Sequence, residues 1–89
     1  MSPILSSFRG IIVRLYDERN SNHHLPHIHA KYGEYNIAVG LDGEVLEGEF
    51  PKKQLRMLLG WMAMYEDELY ANWETYQECG EYFKIDPLR

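Results

Sequence analysis

Polar and apolar residues alternate along much of the first half of this chain, whereas in the second half the apolar ones recur at steps of three and four. The first rhythm belongs to strands with one covered face, the second to a helix. Gly10 to Tyr16 (GIIVRLY) is rich in β-branched residues, and His27 to Tyr32 (HIHAKY) and Tyr35 to Val39 (YNIAV) alternate around the turn signal Gly33. Asp42-Gly43 is a strong hairpin dipeptide that leads into a short strand from Val45 to Phe50. A polar loop, DERNSNHH, lies between the first two strands and gives way to Pro26. A meander of about four antiparallel strands follows from this order.

Pro51 suits the first turn of a helix, where its missing N–H costs nothing. From there Leu55, Leu58, Leu59, Met62, Tyr65, Leu69, Trp73 and Tyr76 form a helical stripe that Gly80 is placed to stop. A straight helix over that span would be about 43 Å long, more than a domain of this size is wide. A bend or break near Gly60 to Asp67, or an overhang used for dimerisation, is therefore expected. Tyr82 to Ile85 could add an edge strand before Pro87. The fold class is thus α+β, an antiparallel sheet of about four strands followed by a long, bent or broken helix packed on one face.

Strand phase assigns the faces. Ile11, Val13 and Leu15, then Ile28, Ala30 and Tyr32, then Tyr35, Ile37 and Val39 make one apolar set that should lie beneath the helix. The opposite side would present Arg14, Tyr16, His27, His29, Lys31 and Asn36 to solvent. It gathers two imidazoles, a guanidinium, an ammonium and a phenol.

Length changes the picture little beyond one point. A chain of 89 residues makes a single domain, residues 1–89, too small to be more than marginally stable alone, so a protein partner or self-association is expected to contribute. One cysteine, Cys79, closes no intrachain disulfide and suits a reducing compartment; beside a helix-ending glycine it should be an inert thiol. No apolar run is long enough to cross a bilayer, and no basic-then-apolar leader opens the sequence, so a soluble, cytoplasmic protein is expected.

The net charge of −5 argues against nucleic-acid binding by charge alone, yet it is unevenly spread. Residues 1–33 hold Arg9, Arg14, Arg19 and Lys31 against Asp17 and Glu18, together with all four histidines, whereas residues 34–89 hold twelve acids against five bases. Anionic ligands, RNA among them, should meet the first half. The methionine and aromatic stripe reads as core or protein interface, and Glu66, Asp67, Glu68, Glu74 and Glu78 read as a solvated helix face.

The histidines are the one suggestive cluster. His27 and His29 stand two apart on a strand, which puts their backbones about 6.5–7 Å apart on one face. Two such imidazoles could converge on a divalent transition metal with His24 or a carboxylate completing the set of His24, His27 and His29, although no cofactor is assured. Alternatively His27 and His29 could serve as acid and base on a phosphodiester, with Arg14 and Lys31 stabilising the developing charge. The plainest alternative is structural, with the rings half-exposed on the strand or bonded to backbone carbonyls.

In their order the motifs SPILSSF, GIIVRLY, NHHLPHIHA and GEVLEGEFP, then Trp61, Glu68-Leu69, Asn72-Trp73 and KIDPL, resemble a small bacterial family, domain of unknown function 4160. The similarity spans essentially the whole chain, and HHLPHIHA is its most specific segment. Two departures stand out: Leu25 replaces the first proline of that motif, and the upstream Asp-His becomes Asn-His-His, which removes an acidic ligand or orienting carboxylate. The resemblance implies a bacterial protein with no established activity, encoded beside another small gene in a toxin–antitoxin-like pair. A protein-binding component of such a module is the leading expectation; a small endoribonuclease-like enzyme or a His-x-His metal-binding protein is the alternative, each using the exposed sheet face. The residues do not decide between enzyme and binding protein.

Overall fold

The computed structural model describes residues 2–16 and 25–89, and within them the β-rich half builds five strands rather than four. These are β1 (Ile4–Phe8), β2 (Ile11–Arg14), β3 (His27–Tyr32), β4 (Tyr35–Gly40) and β5 (Val45–Gly48), all antiparallel neighbours in the order of the chain. The additional strand is β1, and its lack of alternation has a physical cause. The pairing of β1 with β2 shifts register between Ile4 and Ser6, so that Leu5 and Ser6 are both buried in succession. Such a bulge erases the period-two pattern by which a strand is recognised. Phe8 pairs with Ile11 across Arg9 and Gly10, whose φ angles of 51° and 81° are those of a tight two-residue hairpin.

Ile11, Val13, Leu15, Ile28, Ala30, Ile37 and Val39 are buried on one side of the sheet, as strand phase predicts. Tyr35 is the exception: it sits at the tip of the β3–β4 hairpin and is exposed. Helix α1 (Lys52–Met64) buries Leu58, Trp61 and Met62 into this core. The Trp61 ring lies 5.2 Å from that of Phe8, and its Nε1–H donates to the Asp86 carbonyl at 2.8 Å.

The helical segment, expected to be long and bent or broken, is two helices with the break at Tyr65, inside the interval Gly60 to Asp67. The longest dimension of the chain is 34 Å, shorter than the uninterrupted helix would be. Tyr65 leaves helical geometry (φ −116°, ψ 28°); its N–H donates to the Trp61 carbonyl, and its own carbonyl accepts from Leu69. Glu66, Asp67 and Glu68 occupy the first turn of α2 (Glu66–Cys79), where negative charge complements the helix dipole. No described helix is long and apolar enough to cross a membrane.

α2 turns across the end of the sheet instead of continuing over its face. Its side chains meet that end in sequence: Tyr70 beside Leu25 and Gly40, Trp73 against His27, Gln77 on Tyr16. The tail then returns along β1. Tyr82 to Ile85 is not a strand here; the Ile85 N–H donates to the Leu5 carbonyl at 2.9 Å, and the segment is held by a side-chain clamp. Fully buried Asn72 donates through Nδ2 to the Phe83 carbonyl at 3.0 Å and accepts the Phe83 N–H on Oδ1 at 2.8 Å.

Two substitutions test this account of the fold. Gly48 has φ 82°, and a Cβ there would run into the Asn36 carbonyl oxygen, which also accepts the Glu49 N–H. Gly48→Ala is expected to lower stability by roughly 1–3 kcal/mol, read as a drop in the urea midpoint. Asn72→Ala removes both bonds to Phe83 and should cost about 2–4 kcal/mol, with cleavage after Tyr82 or Lys84 accelerated in limited proteolysis.

Candidate functional site

Alternation along β3 sends His27, His29 and Lys31 to the side away from Ile28 and Ala30. Cross-strand pairing sets Arg14 and Ala38 beside His29, and Gly40 beside His27. The two imidazoles do share that side, their ring centroids 5.0 Å apart at an edge-on 64°. The side is not open, however, and the expectation of an exposed histidine face is corrected at His27. The Trp73 ring of α2 lies 5.2 Å from it, and His27 is 3% exposed. The break at Tyr65 is the reason, because it swings α2 over the strand ends.

His29 is half-buried, with the Tyr16 ring 4.2 Å away on its other side. Gln77 Nε2–H donates to the Tyr16 carbonyl at 2.9 Å, tying this end of β2 to α2. Trp73, His27, His29 and Tyr16 therefore form a continuous row of rings. Trp73 and Gln77 were not legible as partners of the histidines, because the helical stripe marks Trp73 as buried without saying against what.

One hydrogen bond orients the row. His27 Nδ1 lies 2.6 Å from the Leu25 carbonyl, which can only accept, so Nδ1 carries the proton. In the neutral ring Nε2 is then the basic nitrogen, the arrangement of an imidazole whose tautomer is held by backbone. A metal would need further ligands. Among the described residues no group of three or more His, Cys, Asp or Glu comes together to hold one, and His24 lies outside the described residues.

The proposed acid–base quartet is divided. Arg14 stands opposite His29 in the ladder, but its guanidinium donates to the Ser2 carbonyl at 2.7 Å. Lys31 is exposed on the same side of β3, with a backbone separation of about 6.5–7 Å from His29 and about 13 Å from His27. The structure brings the rings of His27 and His29 together, while the Arg14 guanidinium is engaged by the Ser2 carbonyl.

A five-stranded antiparallel meander, with one helix on its apolar side and a second closing the strand ends over a histidine pair, defines a small α+β protein. Residues 10–74 match the family described as Domain of unknown function (DUF4160), and the chain belongs to that family. No curated protein and no solved structure matches it.

The packing at His27 generates a stability test. Truncation by His27→Ala leaves a void beneath Trp73 and is expected to cost roughly 2–4 kcal/mol in urea denaturation, with a red shift of tryptophan emission. Lys31→Ala, at an exposed position, should stay within about 0.5 kcal/mol of the parent.

Proposed function

We propose that this chain is a protein-binding component of a toxin–antitoxin-like, two-gene bacterial module, and that it engages its partner at the outer edge of β5. The two-gene setting is what the family resemblance implies; the binding role is supported by β5 itself. This strand ends the sheet, all four of its residues are exposed, and Val45 and Leu46 are 41% and 37% exposed. An uncovered strand edge offers a row of backbone donors and acceptors on which an extended segment of another protein can add.

The chemistry of the edge selects the partner. Asp42, Glu44, Glu47 and Glu49 lie in or beside β5, so a basic segment is favoured and an acidic one repelled. Beside it a hollow of 130 Å³ is lined by Leu25, Leu46 and Tyr70 together with Asp42 and Glu44. Apolar walls ending in carboxylates suit a lysine or arginine, whose stem is aliphatic and whose head is charged. The acid–base and metal readings draw less support, since His27 is covered and no group of three metal-ligating side chains comes together among the described residues.

Co-expression with the product of the neighbouring gene is expected to yield a stable stoichiometric complex. Glu44→Lys combined with Glu47→Lys, both at exposed positions, should weaken it at least roughly tenfold at low salt while leaving the urea midpoint unchanged. A chain that stays monomeric in that product's presence would count decisively against this function.

A further inference from the structure

At the opposite edge of the sheet, the N-terminal arm, β2, the end of α2 and the returning tail line an open groove of 520 Å³. Its walls include Ser2, Ile4, Arg14, Tyr76, Tyr82 and Lys84. All but Arg14 of these lie outside residues 10–74, so the groove is built by the segments flanking the family match. No carboxylate is among its described lining residues. In a chain of net charge −5, two cations lining one groove with no acid among its described lining residues make a local reversal of sign, and an anion is favoured there.

We propose that this groove binds a nucleotide, with its phosphate on Arg14 and Lys84 and its base against Tyr82. Arg14 is anchored for this role: one of its N–H groups is held by the Ser2 carbonyl, which fixes the guanidinium at the groove wall. The planar fork suits a phosphate, and Lys84, another lining residue, supplies a second positive charge on a long side chain. The aromatic part of the ligand follows from the tyrosines. Tyr76 and Tyr82 meet edge-to-face at 6.4 Å and 83°, and Tyr82 is 45% exposed, so its ring is steadied by a neighbour while still open to stacking. A volume of 520 Å³ is far more than a lone phosphate needs and lies within the range of small-molecule sites. Phosphate joined to an aromatic base is supplied either by a free mononucleotide or by one nucleotide of a single-stranded RNA.

Titration of the ¹⁵N-labelled full chain with AMP, adenosine, ribose 5-phosphate and penta-adenylate separates these sources. AMP is expected to shift the amides of Ile4, Gly80 and Lys84, and to bind roughly tenfold more tightly than adenosine or ribose 5-phosphate, each of which lacks one half of the recognition. Penta-adenylate binding tighter than AMP assigns the groove to RNA; equal or weaker binding assigns it to the free nucleotide. Lys84→Glu and Tyr82→Ala, both exposed positions, should each weaken AMP about tenfold without changing the urea midpoint, and they keep the test valid should Arg14→Ala fail to fold. The proposal is overturned if AMP at roughly 10 mM leaves these amides unmoved, or if Lys84→Glu binds AMP as the parent does.

Discussion

The length of the helical segment against the width of the sheet is the constraint on which this structure turns. An uninterrupted helix of that length would exceed the 34 Å long dimension of the folded molecule, and the chain breaks at Tyr65. Everything distinctive about the polar side of the sheet follows. α1 remains over the apolar side with Trp61 on Phe8, while α2 is redirected across the strand ends with Trp73 on His27.

Covering His27 changes what the histidine pair can do. Its ring is packed on Trp73, bonded through Nδ1 to the Leu25 carbonyl and edge-on to His29, which itself meets Tyr16. A ring held on several sides contributes packing and orientation. The features able to meet other molecules lie instead at the two edges of the sheet. They are managed in opposite ways. The β1 edge is covered by the tail, through the Ile85–Leu5 hydrogen bond and the Asn72 clamp on Phe83, and this closure creates the cationic groove. At the β5 edge no further strand pairs among the described residues; its four residues are exposed and it is flanked by acids. Binding of opposite charge types at opposite edges is compatible with one chain meeting a basic protein segment and an anionic small ligand together.

Much of the architecture was legible in the residues because it rests on local periodicity. Alternation located β3 at its observed bounds and sorted Ile11, Val13, Leu15, Ile28, Ala30, Ile37 and Val39 to the covered side. β1 was not legible, since its bulge places Leu5 and Ser6 inside in succession and destroys the signal. The groove was hidden for a different reason: Ser2, Arg14, Tyr76 and Lys84 come from four separate segments with no spacing rule relating them.

By itself, then, the sequence determined the strand phase, the amphipathic stripe and the family, and it narrowed the long helical segment to a bend or break within Gly60 to Asp67 or an overhang, all of which depend on residues near one another along the chain. Tertiary structure alone decided that Trp73 covers His27, that Arg14 turns to Ser2 rather than to the imidazoles, and that the tail closes one edge while the other stays open. The physical reason is that each of these is a contact between distant segments, set by the direction α2 takes after Tyr65, and a direction in space has no period along the sequence.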